Sequence, residues 1–464
     1  MTLWQHQSDG AVFVKDKPGA LLWWGMGSGK SYASINIIQK QRAKYVLILC
    51  PKSVIMTWIK EIEKYTNNDF IVVAPTKGSV AKKAKQIKTI IDYYQNNTKP
   101  IVIILNYEAC WRSGLGQIRD AYKNIIDNGL IKKIPWDIII CDEIHRIKSP
   151  GSRISKFIIN VKTKQKIGLS GTPFSTPLAV YGIFRFLDKN LFGTSYQRFK
   201  FKYMLWGGFE NRQVLQYINQ DDMNERIHRI THRVKVEDVI ELPPAQHIIT
   251  ECELNNKARK AYDHFKKEAI LQFESGTELT AANVLTKMLR LSQICSGIIK
   301  DDNGISHLID TAKLDTLKDL ITGIDEPIVI FTRFRIEVKQ IEEMITKLPR
   351  EGYKKKITCK IVGGCDEREK FANEEADVAI VNIGAGSTGL NELVRARYAF
   401  YYSLSYNSLD YEQSLARIRR SGSDVNKTVF YYHIVAKNTM DEIIMNAINY
   451  KIDIVESLLE HFSR

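Results

Sequence analysis

A glycine-rich turn followed by lysine and a hydroxyl side chain is a combination that holds phosphate. Here it reads Gly25-Met26-Gly27-Ser28-Gly29-Lys30-Ser31, directly after the apolar run Ala20–Trp24. Glycines let backbone N–H groups close around phosphate oxygens, and a helix starting at the turn adds partial positive charge. Gly27, Ser28 and Gly29 would form the cradle, Lys30 would reach the β- and γ-phosphates of ATP, and Ser31 would ligate Mg²⁺. The general pattern of this loop wants glycine at position 24, where the chain has Trp24. A glycine-rich turn with a chance Lys-Ser remains the alternative on this stretch alone.

Two carboxylates follow roughly 110 residues later, in Ile138-Ile139-Ile140-Cys141-Asp142-Glu143-Ile144-His145. An apolar strand ending in an acidic pair puts that pair at the C-terminal edge of a sheet, where such sheets bind ligands. Asp142 can hold Mg²⁺ through water, and Glu143 can orient and deprotonate an attacking water. An acidic loop after a strand is the plainer reading. Late in the chain stands Gln413-x-x-x-Arg417-x-x-Arg420-x-Gly422. Arg417 and Arg420 lie three apart and share a helix face, from which they can neutralise charge developing on a γ-phosphate. A solvated basic face, with Arg419 beside them, is the alternative.

These residues need rigid elements to position them. Short apolar runs alternate with longer, lysine-rich, helix-like segments: Ala20–Trp24, Tyr45–Cys50, Phe70–Ala74, Ile101–Tyr107, Asp137–Cys141 and Lys166–Leu169. The rhythm returns at Ile328–Thr332, Ile357–Val362, Val378–Ile383, Ala399–Leu404 and Val429–Val435. Such alternation predicts an α/β fold with two parallel-sheet lobes in tandem, at 1–173 and 313–464. The stretch between lacks the rhythm and is read as helical insertions, 174–245 with a linker at Pro243-Pro244, and 246–312. Thr439-x-x-Glu442 is a capping box for a last helix, whose stripe of Ile443, Ile444, Ala447, Ile448, Ile452, Val455, Leu458 and Leu459 is read as core packing.

Composition narrows the partners. With 464 residues, 67 Lys plus Arg and 52 Asp plus Glu, the net charge is +15. Such an excess fits a polyanion, because lysine and arginine displace counterions from phosphates; an ordinary basic protein has the same composition. The lysine runs Lys82–Lys88 and Lys354–Lys356 are read as solvated surface rather than as nucleic-acid contacts. Seven cysteines without a C-x-x-C pair argue against structural zinc or a disulfide framework. Leu3-Trp4-Gln5 reads as folded sequence rather than a leader, and no apolar run approaches the ~20 residues of a membrane span. The expectation is a soluble monomer with no membrane partner, in the cytoplasm of a bacterial or virus-infected cell or in the nucleus.

Taken in order, the motifs resemble those of superfamily-two nucleic-acid motors of the Swi/Snf type. Leu3-Trp4-Gln5-His6-Gln7 is similar to the family's adenine-reading Q motif, which points to Gln7. Pro51-Lys52-Ser53 followed by Trp58, and Asn106-Tyr107-Glu108, resemble its first DNA-contact motifs. Asp142–His145 is similar to the D-E-A-H box and Ser170-Gly171-Thr172-Pro173 to the S/T-G-T-P coupling motif. His232–Lys235, Asp238-Val239 and Leu242-Pro243-Pro244 resemble a linker more particular to this family than to helicases at large. Lys287–Cys295 and Lys313-Leu314-Asp315 match the run into its second lobe. Phe331-Thr332-Arg333-Phe334 resembles motif IV, Gly384–Asn391 motif V, and Gln413–Gly422 motif VI with its arginine fingers. Trp24-Gly25 stand where the family has Asp-Glu, Tyr406-Asn407-Ser408 where it has Trp-Asn-Pro, and Arg420-Ser421-Gly422-Ser423 where it has R-x-G-Q. These departures mark a divergent branch, of a kind expected in phages or bacteria.

The resemblance implies two RecA-like lobes clamping one ATP. Gln7, Gly389 and Gln413 then join the nucleotide-binding residues. Lys52, Ser53, Asn106, Tyr107, Thr332, Arg333, Ser387 and Thr388 become the contacts to nucleic acid. The implied activity is a DNA-stimulated ATPase translocating on double-stranded DNA, remodelling protein–DNA or branched DNA structures. A strand-separating or branch-migrating helicase of repair or replication is one alternative; a catalytically silent nucleic-acid-binding module is another. RNA stays open as a track, and the recruiting partner is not specified. Lys30→Ala is expected to abolish ATP hydrolysis in a folded protein. Steady-state turnover beside a circular-dichroism melt tests it, and near-wild-type turnover would dismiss the phosphate-loop assignment.

Overall fold

The computed structural model describes residues 3–112, 114–119, 125–174, 176–207, 213–274, 281–301, 305–348, 356–386, 392–405, 407–420 and 422–449. The chain divides into two compact units, the first running to Ile240 and the second starting at Glu241. The fold class is α/β, with one parallel-dominated sheet in each unit.

The first sheet runs in the order Thr231–Val234, Gly19–Trp24, Thr163–Ser170, Trp136–Asp142, Tyr45–Cys50, Ile101–Asn106, Ile71–Val73, parallel throughout. Its central strands are almost entirely buried because helices cover both faces. Leu21, Trp23, Leu47, Leu49, Ile139 and Cys141 pack on one side, and Ala20, Leu22, Trp24, Val46, Ile48 and Ile140 on the other. The two-residue alternation of a strand is therefore real here but silent in hydropathy.

The second sheet has the order Ala245–Cys252, Val429–Ala436, Tyr398–Tyr401, Ile328–Thr332, Val378–Asn382, Thr358–Val362, Cys365–Asp366, and only its last pair is antiparallel. Helices Ala312–Ile321, Arg335–Thr346 and Ser408–Ile418 contribute to its core. Lys313 is buried there and forms an ion pair with Asp441 at 2.5 Å, while its ammonium also donates to the Tyr402 carbonyl at 3.0 Å.

The stretch expected to be helical does hold helices Pro177–Leu187, Tyr196–Tyr203, Gln220–Arg229, Asn256–Glu274 and Ala281–Cys295. It also holds strands that the sequence reading missed. Met204–Gly207 pairs with Gln213–Tyr217 as a hairpin. Thr231–Val234 joins the first sheet beside the phosphate-loop strand, and Ala245–Cys252, directly after the proline pair, edges the second. Edge strands carry polar side chains, so neither Thr-His-Arg-Val nor Ala-Gln-His-Ile-Ile-Thr-Glu-Cys shows a long apolar run. Residues 440–449 are helical; Thr439 caps them by accepting from the Asp441 N–H at 3.2 Å, and Glu442 reaches back one residue beyond the expected box, to the Asn438 N–H at 2.8 Å. Ile452, Val455, Leu458 and Leu459 of the expected stripe lie outside the described residues. Among the described residues no helix is long and apolar enough to cross a membrane.

His433 sits fully buried in the second sheet, stacked on Tyr401 at 4.8 Å and on His247 at 5.7 Å. Its Nε2 lies 2.9 Å from the Tyr411 hydroxyl. Burial, with His247 adding to it, pushes its imidazolium down to about 4. The unfolded chain therefore takes up this proton at a higher pH than the folded one. The second unit is expected to lose stability as pH falls from about 6.5 to about 4, by ~3 kcal/mol from this group. Urea melts between pH 7 and 4 on wild type and His433→Gln test it; an equal acid loss in both would assign the effect elsewhere.

Candidate nucleotide site

Parallel register brings the C-terminal ends of five strands to one edge of the first sheet. Trp23 pairs with Ser170, Asp142 with Leu169, Leu49 with Cys141 and Cys50 with Asn106. The phosphate loop, Lys52–Ser53, Asn106, the acidic pair and Ser170-Gly171 thus share that edge, although in sequence they are scattered between Gly25 and Gly171.

The loop from Gly25 to Gly29 has the backbone its glycines permit. Gly27 and Gly29 have φ of +81° and +78°, and Gly29 is the N-cap of helix Lys30–Lys40. Ser28 is buried with its hydroxyl donating to the Gly25 carbonyl at 2.7 Å. The Lys30 ammonium donates to the carbonyls of Trp24 at 2.9 Å and Gly25 at 3.0 Å. Loop, lysine and helix N-terminus match the chemistry of a polyphosphate, and the hydroxyl of Ser31 with the carboxylate of Asp142 matches that of a hard divalent cation.

Two side chains of the first helix, Gln5–Lys15, brace this loop. His6 Nε2 lies 2.9 Å from the Ser28 carbonyl, and the Gln7 amide donates to the same oxygen at 3.0 Å. Gln7 Oε1 accepts from the Trp4 N–H at 3.0 Å. Gln7, expected to read adenine, is 3% exposed and serves here as a strut of the loop. A Cβ on Gly29 would lie 2.2 Å from the Gln7 nitrogen, so this approach depends on glycine. The unexpected Trp24 is fully buried, donates to His232 Nδ1 at 2.8 Å and meets His6 edge-on at 5.2 Å. It fills a slot opened by Gly10, whose Cβ would fall 2.2 Å from the indole.

Asp142 ends its strand under strong restraint. Trp58 Nε1 donates to its Oδ2 at 2.9 Å, the Glu143 N–H donates to its Oδ1 at 3.0 Å, and the Tyr107 hydroxyl donates to its carbonyl at 2.7 Å. Burial, and then the neighbouring Glu143 charge, push its carboxyl up to about 6, against the pull of the Trp58 hydrogen bond and Lys30. Glu143 has φ +52° and ψ +55°, a region that L-residues pay to occupy and that clusters at functional sites. Its Oε2 lies 3.4 Å from Ser170 Oγ and 3.4 Å from His145 Nδ1. Trp23 ties the loop strand to the coupling segment by donating to the Gly171 carbonyl at 3.0 Å.

Other expected residues divide. Lys52 and Ser53 are exposed on a short turn before helix Ile55–Thr66. Asn106 is half-buried and donates to Glu108 at 2.8 Å. Tyr107, expected to contact DNA, is only 2% exposed with its hydroxyl spent on Asp142. Thr332, also expected to contact DNA, is fully buried and donates to the Val381 carbonyl. Half-buried Arg333 points inward, towards Ser292 Oγ at 3.4 Å and the Leu404 carbonyl at 3.5 Å. Its backbone N–H donates to the buried Glu337 at 3.0 Å. Gln413 and Arg417 are 1% and 5% exposed on helix Ser408–Ile418, and Arg420 follows it, half-buried. Ser387, Thr388 and Gly389 lie outside the described residues. Trp58 and His6 entered the sequence reading within their motifs without a role of their own, and Trp23 only within the strand before the loop; Trp58 follows Ile55 by three and precedes Ile62 by four, the spacing of ordinary core.

Glu143, in a left-handed backbone at the sheet edge it shares with the phosphate loop, is the residue to test as a general base. Glu143→Gln is expected to keep ATP affinity and lose hydrolysis by about 10²-fold or more. Nucleotide binding by fluorescence beside single-turnover hydrolysis checks this, and parallel loss of affinity and rate would assign Glu143 a structural role.

Comparison with known proteins agrees on the family. The SNF2-related domain model matches residues 4–298. An uncharacterised ATP-dependent helicase of Mycoplasma genitalium is 24% identical over 98% of this chain, which spans 42% of that protein. A protein of Acyrthosiphon pisum secondary endosymbiont phage 1 is also 24% identical, over 96% of this chain and 95% of its own length. Among solved structures, the Sulfolobus solfataricus SWI2/SNF2 ATPase core in complex with dsDNA aligns with 97% of this chain and 91% of its own, at 19% identity and a TM-score of 0.42. The chain belongs to the SNF2-related family.

Proposed function

We propose that the chain translocates on double-stranded DNA, driven by ATP hydrolysis. The observation that carries this reading is the shared sheet edge, where the phosphate loop and the acidic pair stand beside the exposed Lys52–Ser53 turn. Hydrolysis and backbone contact drawn from one rigid edge are what a motor needs, since phosphate contacts carry no sequence information. The net charge of +15 supports a polyanionic track.

In this reading Lys30 and the loop N–H groups orient the phosphates, and Glu143 takes a proton from the attacking water. Ser31 and Asp142 would hold Mg²⁺, whose role is to offset charge on the β- and γ-oxygens. Arg417 and Arg420 are proposed as the arginines that neutralise charge developing during hydrolysis. Lys52, Ser53 and Asn106 are the proposed backbone contacts of the first unit.

The expected outcome is ATP hydrolysis stimulated by duplex DNA, displacement of a triplex-forming strand, and little unwinding of forked substrates. Triplex-displacement and fork-unwinding assays on the same preparation test it. Efficient ATP-dependent unwinding without triplex displacement would favour a strand-separating helicase.

A further inference from the structure

Both segments proposed to touch the DNA backbone send a buried aromatic side chain to the same residue. The exposed turn Lys52–Val54 leads without a break into helix Ile55–Thr66. Trp58, 1% exposed on that helix, donates its indole N–H to the Asp142 carboxylate at 2.9 Å. Asn106 ends the neighbouring strand, and the next residue, Tyr107, donates its hydroxyl to the Asp142 carbonyl at 2.7 Å. A third contact repeats the link: Asn106 donates to Glu108, and Glu108 faces Arg146 at 3.7 Å, in the turn after the acidic pair. Asp142 is therefore held through both its side chain and its main chain by elements whose outer ends lie at the proposed track.

We propose that Trp58 and Tyr107 are positioning residues, which set Asp142 according to whether Lys52–Ser53 and Asn106 carry a nucleic-acid backbone. This rests on the translocase reading. The physical reason is stiffness. A helix turns as a body when its first turn is displaced, and a close-packed indole passes that movement to its hydrogen-bond acceptor. Neither aromatic needs to touch DNA or nucleotide. A carboxylate displaced by a fraction of an ångström is a poorer partner for a cation or for Glu143, whose N–H it already accepts.

The test uses the full chain with Trp58→Phe and Tyr107→Phe, which remove one donor each and keep a ring in place. Four quantities are read: ATP hydrolysis without DNA, hydrolysis at saturating duplex DNA, duplex affinity, and the thermal midpoint. Each variant is expected to lower the ratio of stimulated to unstimulated rate about tenfold, with duplex affinity changed by no more than about twofold. Purely structural residues would lower both rates together, with the midpoint, and leave the ratio intact; that result overturns the proposal, as does an unchanged ratio in both. Should Trp58→Phe fail to fold, Tyr107→Phe carries the test, since it deletes a single oxygen. A wild-type chain that duplex DNA does not stimulate overturns the translocase reading and this proposal with it. Stimulated wild type with fully stimulated variants overturns this proposal alone.

Discussion

Two adjacent carboxylates at a half-buried sheet edge repel each other, and the first unit is arranged around that repulsion. The carboxyl of Asp142 is pushed up to about 6 by burial and by Glu143. Trp58, the Glu143 N–H and the Lys30 charge all work to keep it ionised. Glu143 turns away into a left-handed backbone at φ +52°, which directs its carboxylate to Ser170 and His145 rather than back onto Asp142. Strain at one residue and desolvation at the other are tolerable because the strands on either side are fully paired and packed on both faces.

What could be read in the sequence was what the chain keeps local. The phosphate loop is contiguous, so Gly27, Gly29, Lys30 and Ser31 declare themselves by type and spacing. The central strands declare themselves as apolar runs, because burial on both faces leaves no polar positions. Edge strands did not, since Thr231–Val234 and Ala245–Cys252 carry the polar residues that an edge allows. The hairpin of Met204–Gly207 with Gln213–Tyr217 was missed as well.

Side-chain direction was the part least legible. Tyr107 stands between half-buried Asn106 and exposed Glu108, yet its own side chain turns into the core, and Thr332 is buried beside the equally buried Phe331. The alternation at a strand's end decides which residue faces out, and a shift of one position reverses the reading. Trp58 hid for the opposite reason, because its helical spacing with Ile55 and Ile62 is that of core residues, and its polar N–H shows only once Asp142 is placed beside it. Gln7 was expected to read adenine, and its donation to the Ser28 carbonyl shows only once the loop is folded against the first helix.

The slot between Gly10 and Trp24 constrains how this chain can change. Any side chain at position 10 would collide with the indole, since even a Cβ would approach it to 2.2 Å. Such overpacking typically costs about 1–3 kcal/mol, and shrinking Trp24 first leaves a cavity costing about 3–5 kcal/mol. Each single step is thus uphill, while the two together can be nearly level. The tryptophan in front of the phosphate loop and the glycine in the first helix therefore form one inherited unit, and descendants of this chain should keep or lose the two together.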